Sequence, residues 1–386
     1  MSAAIPTQRR RGSASDTWPR VRLGDVATYV NGYAFKPTDW SSAGRPIIRI
    51  QDLTGNSYQM NRYSGNVPEK YEVIKGDVLI SWSASLGVYI WDREDAFLNQ
   101  HIFKVVFDKE DIDKRYFFHQ VSLILRKSAF EAHGCTMKHL TKPVFDALQF
   151  VLPPLAIQRR IAAKLDLLCD IVAKRKNQLS QLNQLVKSRF VEMFGDMPNS
   201  TKMAEVCSLI TDGTHQSPKF VESGIPFLFV SNVVSNRLTY DAEKFIDEAT
   251  YEELIKRTPI EIGDVLLSTV GSYGHPAIVN SDRRFLFQRH IAYLKPRKEI
   301  VDSQFLHGAI LSASVQEQIE RKVKGIAQKT LNLSEIKTIM VPLPPLVLQR
   351  EFAAFVAKVD KLAFAARRRR DVAKQLYRAK IQEYFG

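Results

Sequence analysis

Apolar residues recur every three or four positions through Ile157, Ile161, Leu165, Leu168, Val172, Leu179, Leu182, Val186 and Phe190. Such spacing, kept over so long a stretch, predicts one helix carrying a coiled-coil seam. The stripe returns 191 residues later as Leu348, Phe352, Val356, Val359, Ala363, Ala373, Tyr377 and Ile381. Arg175 and Arg370 occupy seam positions near the middle of each pattern, either to fix the register as buried polar residues do or to reach solvent, the second being the expectation. Each stripe opens behind a proline pair, "LPPLAIQRR" at 152–160 and "LPPLVLQRE" at 343–351. Proline suits a first turn, because the N–H it lacks has no helical partner there. Each pattern covers 39 residues, about 58 Å of helix at 1.5 Å per residue.

Ahead of each stripe the pattern changes to short β-branched and aromatic runs, "RPIIRI", "DVLISW", "IPFLFV" and "DVLLSTV", bounded by Gly, Pro, Asn and Asp. These read as strands. Shorter helical patterns accompany them, "KRYFFHQVSLILRKSAFEA" at 114–132 and "DSQFLHGAILSASVQEQIERKV" at 302–323. Two mixed α/β domains of about 130 residues each are therefore expected.

The second half repeats the first in order, at an offset drifting from 180 to 191. "GRPIIRIQDL" (44–53) matches "GIPFLFVSNV" (224–233), and "KGDVLIS" (75–81) matches "IGDVLLS" (262–268). "NQHI" (99–102) matches "QRHI" (288–291), which sets His101 on His290; "GCTMKHL" (134–140) matches "GIAQKTL" (325–331); "EMFG" (192–195) matches "EYFG" (383–386). Chance similarity would not keep six blocks in order. The expected organisation is a disordered tail (1–17), a first globular domain (18–152), a first long helix (153–195), a second globular domain (196–343) and a second long helix (344–386). The first helix leaves domain one and ends at domain two, while the second leaves domain two. To bury its seam the second must run back along the first. The fold class is thus α+β, two similar heads on an antiparallel coiled coil, pseudo-two-fold symmetric.

Net charge is +14, and its placement matters more than its size. Residues 157–195 hold eight Lys and Arg against three Asp and Glu, and residues 348–386 hold ten against four. One basic helix is commonly a solvated face. Two matched ones in a basic chain point to a polyanionic partner, nucleic acid first. Cys135, Cys169 and Cys207 are scattered without a CxxC spacing, which argues against a disulfide framework or zinc site and fits a reducing cytoplasm. The chain has no run of 18 apolar residues, so no membrane span is expected, and "MSAAIPTQRRRGSAS" lacks the apolar core of a secretory signal.

Catalytic signatures are missing. There is no GxxxxGK[ST] loop, no GxGxxG behind a strand and no HExxH. The proline pairs sit in "LPPL", without the flanking Asp or Asn and aromatic residue that hold a flipped adenine. "DGTH" (212–215) reads as a turn before it reads as a metal cluster. His101 and His290 recur at matching places, as a shared DNA contact or a shared core hydrogen bond, the core reading being favoured. The chain reads as a reader of DNA, without a catalytic centre.

A tandem of mixed domain, Pro-Pro-led helix, mixed domain and Pro-Pro-led helix resembles the specificity subunit of type I restriction-modification systems. The residues that carry the likeness are "GCTMKHL…LPPLAIQRRI" (134–161), "DGTHQSPKF…GIPFLFVSNV" (212–233), "FQRHIA" (287–292) and "VPLPPLVLQREF" (341–352). Where many members carry Glu before the helix-opening Gln, this chain has Ile157 and Leu348. The resemblance implies that each head reads half of a bipartite site in double-stranded DNA. It implies that the helices dock two methylation subunits, that motor-nuclease subunits join, and that S-adenosylmethionine, ATP and Mg serve those partners, with no cofactor or metal in this chain. Because the heads have diverged, an asymmetric target is expected. Lys138 and Lys329, with Lys36 and Lys219, are the expected phosphate contacts; Gln51, Trp82, Gln216, Asn232 and Tyr273 are the expected base readers. The rival readings are a stand-alone nuclease or methyltransferase, and a coiled-coil scaffold whose charge is incidental.

Overall fold

The protein is described by a computed structural model covering residues 18–57, 59–131, 140–198, 200–325 and 328–386. The sequence repeat becomes a repeat of elements. In chain order these are β1 (Thr28–Asn31), β2 (Val78–Ser81), β3 (Gly87–Ile90), β4 (Ile102–Val106), α1 (Lys114–Glu131) and α2 (Leu155–Phe194). Their counterparts are β5 (Cys207–Asp212), β6 (Val265–Ser268), β7 (Pro276–Ile278), β8 (Ile291–Pro296), α3 (Ser303–Ile310) and α4 (Leu346–Phe385). The chain divides into two compact units, residues 1–176 with 368–386, and residues 177–367. This differs from the expected division into heads and separate spacer helices, since each unit takes part of both long helices.

In the first unit the antiparallel sheet runs β1-β4-β2-β3. Every residue of β2 is buried, as its unbroken apolar run requires when both faces of a strand are covered. Val78 and Ile80 pack with Tyr116, Phe117, Val121 and Leu125 of α1. Leu79 turns the other way, toward Ile48, Val73, Trp91 and Leu98. Of these, Ile48, Val73 and Leu98 belong to a second sheet, in which Arg45–Ile48 pairs in parallel with Ala96–Leu98. Ile161, Ala162 and Leu165 from the start of α2, and Ile381, Tyr384 and Phe385 from the end of α4, complete the α1 cluster. Early residues of one helix thus lie beside late residues of the other, so the two run antiparallel here.

The second unit repeats the order as β5-β8-β6-β7, with Ile225–Leu228 parallel to Leu286–Phe287 in its second sheet. Its core joins Phe190 and Phe194 near the end of α2 to Phe305 of α3 and Phe352 near the start of α4. The helices are again antiparallel. One expectation changes: the helical pattern at 302–323 is two helices, α3 and Ala313–Lys322, divided at Leu311–Ser312. A Cβ on Gly308 of α3 would stand 2.9 Å from the Phe190 ring, so glycine there lets α3 close on the aromatic cluster.

The structure gives the repeated helix opening a physical reason. Gln158 and Gln349 are buried, 1% and 0% exposed. The Gln158 amide nitrogen donates to the carbonyls of Pro153 (2.9 Å) and Asp111 (3.2 Å), while its oxygen accepts from the Asp113 N–H (2.9 Å). Gln349 does the same with Pro344 (2.8 Å), Ile300 (3.0 Å) and Asp302 (2.8 Å). Asp113 and Asp302 in turn accept from the first N–H groups of α1 and α3. One glutamine therefore fixes the start of each long helix to the start of the helix before it. The residues preceding it, Ile157 and Leu348, are half-buried and apolar, packed on the two cores.

Along the seam, Ile161, Leu165, Leu168, Phe190, Phe352, Val356, Val359, Ala363, Ala373 and Ile381 are buried. Val172, Leu179, Leu182, Val186 and Tyr377 are half-buried. Arg370 does not simply reach solvent as expected: it is half-buried and pairs with Asp371 at 2.9 Å, and Arg175 is half-buried too. In the first unit α1, α2 and α4 share a polar knot. His119 has no exposed side-chain surface; its ring nitrogens lie 2.8 Å from Asp166 Oδ1 and 3.1 Å from the Tyr377 hydroxyl. Arg115 holds the same carboxylate from its outer side.

Candidate nucleic-acid interface

In each unit two short loops meet at the end of the first strand of the main sheet. After β1, Gly32 N–H donates to the Ile102 carbonyl (3.1 Å), Tyr33 N–H to Leu98 (2.7 Å), and Gln100 N–H back to Tyr33 (2.9 Å). After β5, Gly213 N–H donates to Ile291 (3.2 Å), Thr214 N–H to Phe287 (3.0 Å), and Arg289 N–H back to Thr214 (3.1 Å). The glycines are dictated by this approach of main chain to main chain. A Cβ would lie 2.0 Å from the Asn99 oxygen at Gly32 and 2.2 Å from the Phe287 oxygen at Gly213. A third segment completes the edge. Trp82 and Thr269, which follow β2 and β6, donate N–H to the carbonyls of His101 and His290, at 3.3 and 3.0 Å. The carbonyls of Trp82 and Thr269 then accept from Leu140 and Leu331, each two positions beyond the repeated lysine in the sequence.

The frame is thus common to both units, and the exposed side chains on it differ. The first presents Asn31, Tyr33 and His101; the second presents His215, Gln216 and Arg289. Rigid main chain with variable polar tips is how a scaffold specialises two sites for two ligands. "DGTH" runs from the last residue of β5 through a bend at Gly213 to a bridge at Thr214, and it forms the second unit's half of this edge. Among the described residues, no three His, Cys, Asp or Glu stand together as a metal set.

Several expected contacts are placed differently from their reading. Asn232 is no base reader: it is 5% exposed, accepts from Phe229 N–H (2.9 Å) and donates to the carbonyls of Thr239 (3.2 Å) and Asp241 (3.0 Å). It closes a turn, and its counterpart Asp52 accepts from Arg49 N–H in the same way. His101 is not a core residue. It is exposed at φ 74°, a left-handed conformation that strains any residue bearing a Cβ. His290 is half-buried, and burial, helped by neighbouring Arg289, holds its imidazole below the usual value. Trp82 is half-buried; it stacks on Phe103 (5.7 Å), meets His101 edge-on (5.0 Å) and donates its indole N–H to Asn31.

Gln51, Gln216, Lys36 and Lys219 are exposed. Lys329 is exposed and held to Glu320 Oε1 at 2.8 Å, with the half-buried Tyr273 hydroxyl bonded to both groups. That pairing keeps the Lys329 ammonium charged, and an incoming phosphate would have to displace Glu320 from it. Lys138, Cys135 and residues 1–17 lie outside the described residues. Sequence reasoning missed Tyr33, Asn31 and Arg289. The available signal was the Asn/Asp-Gly pair, which occurs at the same place in both halves.

The long helices carry exposed apolar residues besides the seam. Leu167, Val372 and Leu376 in the first unit, and Leu185, Val191, Val347, Leu362 and Phe364 in the second, are exposed, from 46% to 75%.

Comparison with known proteins finds the model of the type I restriction modification DNA specificity domain twice, over residues 15–184 and 201–372. The chain is 29% identical to the specificity subunit of the type I restriction enzyme EcoBI of Escherichia coli, over 91% of this chain and 80% of that one. It is 22% identical to the MjaVIII specificity subunit of Methanocaldococcus jannaschii, over 92% and 89%. In fold it resembles the crystal structure of the type I restriction-modification S subunit of M. genitalium, with a TM-score of 0.61 at 13% identity, over 98% and 97% of the two chains. A chain from a structural study of type I system assembly and conformational transition aligns with a TM-score of 0.52 at 19% identity, over 98% and 99%.

Proposed function

The chain belongs to the type I restriction-modification DNA specificity family and is the specificity subunit of such a system, and from that premise we propose that its two recognition domains read the two different halves of a split DNA site. The observation that carries this reading is the loop edge built twice on one main-chain frame with different side chains. Two copies of one chain would demand a palindromic site. Two diverged units within one chain accept an asymmetric one. Phosphate contacts by Lys36, Lys219, Lys329 and Lys138 position the units, and exposed loop side chains specify the bases.

The chain works as a non-catalytic reader. Its exposed apolar helix residues dock two methylation subunits, and motor-nuclease subunits join them; S-adenosylmethionine, ATP and Mg serve those partners. Exposed Leu, Val and Phe on both long helices support such docking, because large apolar side chains left in water on a helix mark a place for a partner.

Methylome sequencing of cells with and without the chain tests the proposal. The expected result is one motif, with two different halves and a fixed spacer, that disappears with the chain. A palindromic motif, or no change in methylation, overturns it. Incubating the pure chain with DNA, S-adenosylmethionine and Mg should give no turnover; methyl transfer or cleavage by the chain alone would overturn the non-catalytic assignment.

A further inference from the structure

In both units a single helical turn closes over the loop edge from the side, ahead of the Gly-Asp pair that leads into β2 or β6. In the first unit it is Glu69–Tyr71, and it sets Tyr71 against Tyr33 with ring centroids 5.5 Å apart. In the second it is Ile255–Arg257, and it delivers a cation in place of a ring. The Arg257 Nη2 donates to Asp212 Oδ1, and His215 Nε2 lies 2.9 Å from Asp212 Oδ2 and 3.2 Å from Arg257 Nη2. Asp212 is mostly covered, 14% exposed, whereas the Arg257 and His215 side chains are 52% and 51% exposed. A shielded carboxylate thus sits beneath an exposed guanidinium and an exposed imidazole, at the last residue of β5 beside Gly213.

Asn31 holds the equivalent place at the end of β1. It too binds an exposed neighbour on the edge, accepting the indole N–H of Trp82 at 3.2 Å. The residue before the glycine therefore acts the same way in both units, orienting a large side chain on the edge, and the side chain it orients differs.

Resting on the DNA-reading assignment above, we infer that Arg257, aimed by Asp212 and His215, reads a guanine in the half-site of the second unit. Asp212 and His215 both lie against Nη2, and among the described residues Nη1 and Nε of Arg257 have no protein partner. With the His215 Nε2 proton directed to Asp212 Oδ2, that nitrogen does not accept from Nη2, and the second Nη2 N–H forms a planar pair of donors with its neighbour in the guanidinium. That pair matches the O6 and N7 acceptors of guanine in the major groove, the commonest specific contact to DNA. Asp212 and His215 are positioning residues, since they act through Arg257. A plain surface ion pair would add little stability and no sequence preference, so the two roles predict different measurements.

The full chain assembled with its methylation subunits is used to select bound sequences from randomised duplex DNA. The variants compared with wild type are Arg257→Ala, Arg257→Lys and Asp212→Asn, each checked by its melting curve. Wild type should enrich one G·C pair in one half-site. Arg257→Ala should lose that preference by about 5- to 150-fold and keep the other positions. Arg257→Lys keeps the charge but not the planar fork, so it should lose the same preference while keeping overall affinity and its dependence on salt. Asp212→Asn should weaken that one preference partially.

An even loss across all sequences, or an unchanged motif with a lowered melting temperature, overturns the guanine assignment and leaves the DNA-reading role standing. Wild-type complex that selects no sequence at all overturns both. If Arg257→Ala does not fold, the lysine and asparagine variants decide on the same readout.

Discussion

His119 is a neutral, hydrogen-bonded residue inside the first unit. Burial is the largest influence and holds its imidazole below the usual value of 6.5, although Asp166 pulls it upward; Arg115 and Asp113 are the other charges facing it. Burial alone would raise the Asp166 carboxyl, but hydrogen bonds from Arg115 and His119 outweigh it and hold the group below its usual range. Cys169 and Tyr377, the remaining titratable neighbours, are pushed up by burial, Tyr377 to about 12, and stay protonated. A depressed histidine is neutral when folded while the unfolded chain takes up a proton. Its stabilisation is therefore full above 6.5 and is lost as pH falls below that value. Asp166 adds a further loss only in acid, below its unfolded value of 3.8. All four tryptophans, Trp18, Trp40, Trp82 and Trp91, belong to the first unit, so indole fluorescence follows this region selectively. Unfolding watched in that way should weaken from about pH 7.5 to 5.5, and His119→Gln should flatten the trend; an unaltered slope would show that His119 does not set it. Gly213→Ala makes a separate prediction. Its methyl would meet a main-chain oxygen that cannot turn aside, so the loop pair should open, lowering sequence-selective binding more than the melting temperature of the assembled complex.

Among the elements, the glutamine at each long-helix start ties two helices with three hydrogen bonds. Gln158→Ala leaves the Asp113 N–H and two carbonyls without partners in a buried place, at a cost of about 1–3 kcal/mol, readable as a shift in the tryptophan-monitored denaturation midpoint. Gln349→Ala should act first on Ser303–Ile310, seen as faster amide exchange there. The long helices were legible because a period repeated over so many turns overrides local ambiguity. The order of the sheet strands was not, though "GDVL" announced the central strand twice. Asn232 misled because a polar residue in a turn reads as exposed, when this one closes the turn from inside. His101 misled in the opposite sense: recurrence suggested a shared core, but the conserved feature of the pair is the carbonyl, which accepts from Trp82 or Thr269, and the ring is free to differ. Arg257 was invisible as a site residue because 45 positions separate it from Asp212, and only the turn Ile255–Arg257 brings them together. The break at Leu311–Ser312 escaped because Ser continues a helical pattern about as well as it caps a new one.

For the whole molecule, modularity has a definite boundary. Ile381, Tyr384 and Phe385 belong to the first unit's core, so exchanging residues 18–152 alone for those of a relative pairs a foreign head with the resident α4 end. Exchanging 18–176 together with 368–386 should fold, change one half of the methylated motif and leave the other intact. Alteration of both halves would show that the units do not read independently. The same division of the chain governs its birth. Residues 177–367 form a contiguous unit, while the amino-terminal unit, whose main stretch ends at residue 176, lacks part of its interior until residues 368–386 have been translated. At roughly 5–20 residues per second that delay is about 10–40 s, during which Leu165, Tyr116 and their neighbours remain uncovered and open to chaperones or proteases. Nascent chains stalled before residue 368 should therefore leave the amino-terminal unit digestible, whereas the released full-length chain should protect it, so that the first-made unit is not the first to close.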